Sequence, residues 1–185
     1  LPSKLLLFIE SALQQSFEGE VLTLLVAGVY RLLYQDYDAI VEVHPVNQSG
    51  ASSNEISDLD VYIDGKLISS NELKDKIYTE HDVRHAADKV LQAGGTKMLF
   101  IEGPQGEPDG NFCKEIEEEY KSRNFMLSIV PCRLFFTSVL GVMHSVDCCE
   151  FMNFIINTAY ETKFKEDTIL YLDVLAQEIL GLYRE

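Results

Sequence analysis

Hydrophobic residues recur at helical spacing in the first part of the chain. Leu5, Phe8, Ile9 and Leu13 are spaced three or four residues apart, which predicts an amphipathic helix. From Glu20 to Tyr34 apolar side chains occupy most positions, and this density predicts a second, well-buried helix. The chain therefore opens with two helices.

The pattern then changes to alternation, which is typical of strands. Residues 39–44 (AIVEVH) alternate in this way, and the polar stretch 47–57 (NQSGASSNEIS) has the composition of a loop. Segments 58–63 (DLDVYI) and 67–74 (LISSNELK) flank the dipeptide Asp64-Gly65. Asp-Gly between two alternating runs is a strong hairpin signal, so an antiparallel pair is predicted here.

Helices and strands alternate beyond the hairpin. A capping box formed by Thr79 and Asp82 predicts the start of a helix that ends at Gly94-Gly95. Further segments are predicted as strand 97–102, loop 103–110, helix 109–121, strand 126–130, helix 131–160 with a break near Gly141, and helix 167–182. This order predicts an α/β fold in which helices flank a mixed central sheet, an antiparallel hairpin plus parallel strands.

Length and composition are those of one folded domain. The 185 residues are 46% hydrophobic and 24% charged, and the chain begins at Leu1, so we expect a single domain, 1–185, taken from a longer protein. The longest apolar stretch, 134–159, carries His144, Asp147 and Glu150, which disfavours a membrane span. The four cysteines form no CxxC pair and are expected to be reduced core residues of a cytosolic protein.

The hairpin carries the residues with chemical potential. Asp58 and Asp60 alternate on one strand, and Glu72 and Lys74 alternate on the other. Carboxylates that converge on one face suit Mg²⁺, which activates water and phosphate, and a nearby lysine offsets developing charge. Phosphodiester hydrolysis requires such a set. The same alternation is also the ordinary pattern of an exposed sheet face, and the spacing alone does not separate the two interpretations.

The register of the hairpin decides whether a site can form. A two-residue turn would put the two carboxylate pairs on opposite faces of the sheet. A three-residue turn puts Asp58 opposite Glu72 and Asp60 opposite Ser70, whereas a five-residue loop puts Asp60 itself opposite Glu72. We predict an odd register or a bulge, with the oxygens of Asp60 and Glu72 close enough to share one cation.

Residues 43–103 resemble a known family. The matching words are VHPVNQSGASS, DLDVYIDG, ELKDK, DVRHAADKV and MLFIEG. Together with the order of elements, they resemble the PD-(D/E)XK nuclease superfamily and, within it, the type II restriction endonucleases of the SacI type. The resemblance implies a restriction-endonuclease-like fold, a prokaryotic cytoplasmic location, and Mg²⁺-dependent cleavage of double-stranded DNA at a short sequence, with Mn²⁺ as a substitute.

The resemblance also implies roles for individual residues. Asp60 would be the metal-bridging carboxylate, Glu72 the second ligand and Lys74 the catalytic lysine. No proline precedes Asp58 or Asp60, so the two aspartates remain exchangeable as metal ligands. Glu20 occupies the place from which superfamily members often supply a further carboxylate, although a glutamate there also favours the helix dipole.

The net charge of −15 complicates this interpretation, because the chain as a whole should repel phosphate. Either a separate DNA-recognition domain supplies affinity, or the acidity lies away from a locally basic site. His85 and Lys89, one turn apart, either face phosphates or form a solvated helix face. The alternative to an active, homodimeric endonuclease is a catalytically retired binding module. A structure-selective or repair nuclease is a further alternative.

Overall fold

The structure is a computed structural model that describes residues 1–45 and 55–183. Most of the predicted polar loop 47–57 lies outside the described residues. Within them, the α/β fold is confirmed, because a mixed five-stranded sheet lies between two layers of helices.

The central sheet has five strands, which lie side by side in the order β1 Ala39–Val43, β2 Leu59–Ile63, β3 Lys66–Lys74, β5 Lys97–Glu102 and β7 Met126–Pro131. The strands β1, β2 and β3 pair antiparallel, whereas β3, β5 and β7 pair parallel, as the sequence predicts. Two short strands, β4 Ile77–Tyr78 and β6 Glu107–Pro108, form a separate parallel pair.

Seven α-helices surround the sheet in the described part of the chain. They are α1 Pro2–Ala12, α2 Glu20–Leu33, α3 Glu80–Gln92, α4 Cys113–Ser122, α5 Cys132–Val142, α6 Cys148–Glu161 and α7 Glu166–Leu175, which continues into a π-helical turn, Ala176–Leu180. The capping box of α3 is confirmed, because the Thr79 side chain accepts from the Asp82 N–H and the Asp82 carboxylate accepts from the Thr79 N–H. The break predicted near Gly141 separates α5 from α6.

Each face of the sheet is covered by its own apolar cluster. The larger cluster joins α1, α2, α5, α6 and α7 to Leu59, Val61, Leu73 and Ile101 of the sheet. The smaller cluster joins α3 and α4 to Met98 and Phe100. The apolar residues of the last helix pack into the larger cluster, so its buried face is part of the core of this chain.

The hairpin between β2 and β3 combines a tight turn with a bulge. Ile63 pairs with Lys66 across Asp64 and Gly65, which both have positive φ (51° and 72°), as a two-residue hairpin turn of type I′ requires. Of the two predicted routes to an odd register, an odd loop or a bulge, the loop is therefore excluded. An extra residue in β3 shifts the register beside Val61, so that Asp60 pairs with Ser70. The predicted odd pairing is thus confirmed, and a bulge produces it.

The cysteines are free, as predicted, but only Cys132 is fully buried, while Cys149 is exposed. Their predicted place in the core is therefore wrong for Cys149, which lies in the first turn of α6. No helix among the described residues is long and apolar enough to cross a membrane.

Candidate active site

The odd pairing brings Asp58 toward Glu72. Leu59, the first residue of β2, pairs with Asn71, so Asp58 just before the strand lies beside the next residue of β3, Glu72. The Leu73 N–H donates to Asp58 Oδ2 at 2.9 Å, which fixes one carboxylate oxygen against the backbone of β3. Glu72 pairs in register with Phe100, which packs under α3, so the Glu72 side chain lies on the sheet face that α3 and α4 cover.

Lys74 completes the cluster from the end of β3. Its Nζ lies 3.0 Å from Glu72 Oε1, and both side chains are mostly buried, with exposures of 20% and 15%. Burial alone would lower the pKa of Lys74, but the Glu72 carboxylate and then Asp58 raise it, so the ammonium form is favoured. Two carboxylates and one ammonium therefore share a partly enclosed space.

The electrostatics of the pair indicate a shortage of positive charge. Burial, followed by the negative charge of Asp58, raises the pKa of Glu72 to about 7 from its ordinary value of 4.5, although Lys74 opposes this shift. Burial also raises the pKa of Asp58. A bound cation would remove both penalties, because it favours the ionised form of each carboxylate.

Asp60 lies on the same face but is engaged in a different network. Its side chain is fully buried, and its Oδ1 accepts from Ser57 Oγ at 2.6 Å and from Ser70 Oγ at 2.8 Å. Oδ2 accepts from the Ser57 N–H at 3.2 Å and lies 3.4 Å from His44 Nε2. Burial would raise the pKa of Asp60, but His44 and the two serines lower it, so this carboxylate is ionised and already satisfied.

The structure therefore separates residues that the sequence treats as equivalent. It brings Asp58, Glu72 and Lys74 together, and it ties Asp60 to Ser57 and Ser70. His44, which has no partner in sequence, meets Asp60 because β1 pairs with β2. The polar residues within strand β3 could have indicated this hydrogen-bond network from the sequence, since a serine at a buried strand position requires a hydrogen-bond partner.

Glu20 does not reach this cluster. The glutamate is buried at the start of α2, where its carboxylate accepts hydrogen bonds from the Thr168 hydroxyl and, at 3.2 Å, from the Lys165 N–H. It thus caps the first turn of α7, and the contact joins α2 to the C-terminal helix. The neighbouring Glu18, by contrast, lines the cavity beside the cluster.

A cavity of about 720 Å³ opens beside Asp58 and Lys74. Its lining residues are Ser16, Glu18, Gly19, Asp58, Leu73, Lys74, Asp75, Lys76 and Gln105. The segment from Phe17 to Gly19 has three consecutive positive φ angles, 46°, 57° and 89°, which is an unfavourable conformation for a phenylalanine. The sequence pattern does not identify residues 17–19 as part of the site, because they lie about forty residues before the hairpin in the chain.

A glycine-containing loop holds the end of β3 in place. The Gly103 N–H donates to the Lys74 carbonyl at 2.7 Å, and the Gln105 N–H donates to Asp75 Oδ1 at 2.8 Å. A Cβ added at Gly106 would lie 2.3 Å from the Lys74 carbonyl oxygen. The loop can approach the backbone of the site only because residue 106 has no side chain.

Replacing Gly106 with alanine is expected to lower the free energy of unfolding by about 1–3 kcal/mol, because the backbone must move apart to relieve the contact. Gly110→Ala is the matched control, since a Cβ there meets nothing closer than 3.6 Å. Urea unfolding of both variants measures the difference. Equal midpoints for Gly106→Ala and Gly110→Ala would contradict the close approach.

The raised pKa of Glu72 predicts a pH-dependent stability of the metal-free protein. The unfolded chain ionises Glu72 near its ordinary value of 4.5, whereas the folded chain does so at about 7. Stability is therefore lost as the pH rises between these values, and Glu72→Gln should recover about 1–3 kcal/mol at pH 8 and nothing near pH 4. Thermal unfolding in EDTA at both pH values measures this, and an equal effect of Glu72→Gln at both would contradict it.

The described residues contain no group of three or more histidine, cysteine, aspartate or glutamate side chains that could hold a metal ion. Asp58 and Glu72 are two carboxylates, and Mg²⁺ commonly uses one or two together with water and phosphate oxygens. The donor set thus fits Mg²⁺ better than a cation that requires a full protein cage.

Two comparisons bear on the family. The family model of the SacI restriction endonuclease C-terminal domain matches residues 1–104, which include α1, α2, the hairpin and the whole Asp58–Glu72–Lys74 cluster. Among curated proteins, no sequence matches the chain.

Proposed function

The chain belongs to the SacI restriction endonuclease C-terminal domain family, and on that premise we propose that it hydrolyses phosphodiester bonds of double-stranded DNA with a divalent cation. One observation carries the finer proposal. Asp58, just before β2, is hydrogen-bonded to the Leu73 N–H beside Glu72, and the Lys74 ammonium contacts Glu72 at 3.0 Å.

We assign the cation, Mg²⁺ or Mn²⁺, to Asp58 and Glu72. The Asp58 oxygen that does not accept from the Leu73 N–H and the Glu72 carboxylate are hard oxygen donors, and their mutual repulsion favours a cation between them. When bound, the ion polarises a phosphate oxygen and makes water a stronger nucleophile. Asp60, which the sequence favours as the main ligand, is assigned instead to positioning, because its oxygens already accept from Ser57 and Ser70.

Lys74 is assigned to the attacking water and to the charge that develops on the phosphate. Its ammonium has three donors, of which Glu72 Oε1 occupies one, so the others remain to bind and orient water or a phosphate oxygen. The raised pKa keeps this group protonated, and a protonated lysine acts here as a donor and a positive charge and not as a base.

Double-stranded DNA is the substrate that the family implies, and two further partners follow from physical arguments. Cleavage of both strands requires two active sites or two binding events, which supports a homodimer. The net charge of −15 opposes the approach of DNA, which supports a separate recognition domain in a longer protein.

The same charge favours a second candidate, a module that keeps the nuclease fold but no longer cleaves. The two functions differ in their uptake of metal, because a retired site has no need to bind a cation. Isothermal titration with Mn²⁺ would detect binding to the Asp58–Glu72 pair in an active nuclease and none in a retired one.

The test of the proposed function is cleavage of supercoiled plasmid by the purified protein in Mg²⁺, with EDTA as the control, followed by mapping of the ends. The expected products are nicked and then linear DNA with ends at a defined sequence. Plasmid that stays supercoiled at all protein concentrations, together with no Mn²⁺ binding, would overturn the nuclease function in favour of the retired module.

A further inference from the structure

Helix α3 lies over the sheet face that carries the candidate site. Its residues Val83, Ala87 and Val90 pack with Phe100, the strand residue that pairs with Glu72. The helix connects β3 to β5 and packs on β5, the strand next to the one that carries Glu72 and Lys74. The flank of α3 nearer β3 therefore borders the candidate site.

Three positions on this flank follow helical spacing, namely Asp82, Ala86 and Lys89. Asp82 is one of the carboxylates whose negative charge raises the pKa of Lys74. Ala86 is a small buried residue, which leaves space between the helix and the strand. Lys89 is half-buried, and its positive charge acts to lower the pKa of both the Asp58 and the Glu72 carboxyl. The flank thus presents a second ammonium to the site.

Lys89 differs from the arginine on the same helix. Arg84 pairs with Glu80 at 2.8 Å and with Glu119 at 2.6 Å, which neutralises it. Lys89 has no carboxylate oxygen within 4.0 Å among the residues that the structure describes. A half-buried ammonium has lost part of its hydration, and a nearby anionic ligand would restore the lost interactions.

We propose that Lys89 binds a phosphate group of the DNA strand at the candidate active site and positions that strand over Asp58 and Glu72. This inference rests on the proposed function, because it takes DNA as the ligand. With a divalent cation present, Lys74 and Lys89 offset the negative charge of Asp58 and Glu72 within a chain of net charge −15. Lys89 would therefore supply local attraction for phosphate that the chain as a whole lacks.

The test compares Lys89→Gln and Lys89→Arg with the wild type and with Lys114→Gln. Lys114 is an exposed lysine in the first turn of α4, a helix that packs mainly on β7, and its replacement by glutamine makes the same change in charge. Binding to a fluorescently labelled duplex is measured in Ca²⁺ at several salt concentrations, and single-turnover cleavage is measured in Mg²⁺. Urea unfolding of each variant reports on the fold.

Lys89→Gln is expected to reduce the salt slope of log K by about 1, the contribution of one phosphate contact, and to slow cleavage about 10-fold. Lys89→Arg should retain the slope, and Lys114→Gln should match the wild type. A purely structural lysine would change the unfolding midpoint and leave the salt slope unaltered.

The outcomes separate this inference from the proposed function. A wild-type slope and cleavage rate in Lys89→Gln, with the wild type active, overturns the role of Lys89 alone. A reduced slope in Lys89→Gln, with no cleavage by the wild type, supports the phosphate contact and overturns the nuclease function. Absence of duplex binding by the wild-type protein at the lowest salt concentration overturns the role of Lys89, whereas the nuclease function is decided by plasmid cleavage.

Discussion

Lys74→Ala is expected to reduce plasmid cleavage by about 10²–10³-fold or more, because it removes the ammonium that contacts Glu72 at 3.0 Å. The fold should remain, because without Lys74 the raised pKa of Glu72 rises further and the carboxyl is held neutral. Single-turnover cleavage in Mg²⁺ measures the rate, and circular dichroism checks the fold.

Lys66→Ala is the matched control for this variant. Lys66 lies at the other end of the same strand, is exposed and follows the hairpin turn, so its loss should leave the rate close to that of the wild type. Cleavage by Lys74→Ala at the wild-type rate would mean that the chemistry resides elsewhere in the protein.

Replacement of Asp58 and replacement of Asp60 are expected to have different effects. The first should abolish metal binding and keep the fold, whereas the second should destabilise the fold. Asp58→Asn should retain the fold, because an amide oxygen still accepts from the Leu73 N–H and a negative charge next to Glu72 is removed. It should lose Mn²⁺ binding and cleavage, because one of two carboxylate ligands is gone.

Asp60→Ala should instead lower the free energy of unfolding by about 3 kcal/mol or more, since the buried Ser70 hydroxyl and the Ser57 N–H lose the carboxylate that accepts from them. Asp60→Asn preserves the volume and part of the hydrogen bonding, so it keeps the experiment informative if the alanine variant does not fold. Urea unfolding measures the stability of each variant, and titration with Mn²⁺ measures the metal site.

The reverse pattern would exchange the two roles. Mn²⁺ binding that survives in Asp58→Asn and disappears in a folded Asp60→Asn would make Asp60 the ligand, as the family pattern first indicates. The pair of variants thus tests the assignment of the ligand independently of whether the protein cleaves DNA.

The site also shows how the polar network supports the reactive residues. The Ser57 hydroxyl donates to Asp60 Oδ1, and its oxygen accepts from the Asn71 N–H at 3.1 Å, so one side chain joins the start of β2 to β3. On the opposite face, the Tyr30 hydroxyl of α2 donates to Asn71 Oδ1 at 2.7 Å. These bonds fix the strands on either side of Asp58 and Glu72, and a site of this kind depends on such rigid support.

The sequence alone determines the order of elements and the face on which the acidic residues lie. Both conclusions follow from local physics. The period of apolar positions distinguishes the helices from the strands, the Thr79 capping box starts α3, and Asp64-Gly65 forms the turn. Alternation along a strand then places Asp58 and Asp60 on one face whatever the rest of the protein does.

Only the tertiary structure decides which of these residues meet. Alternation cannot separate Asp58 from Asp60, and the bulge that sets their partners is not visible in the Asp-Gly signal, which by itself predicts the opposite register. The orientation of Glu20 toward α7, the contact of His44 with Asp60 and the packing of α3, which carries Lys89, on the face of Glu72 depend on elements far apart in the chain. Their geometry is set by how the helices pack on the sheet, and packing is a property of the whole chain that no local pattern contains.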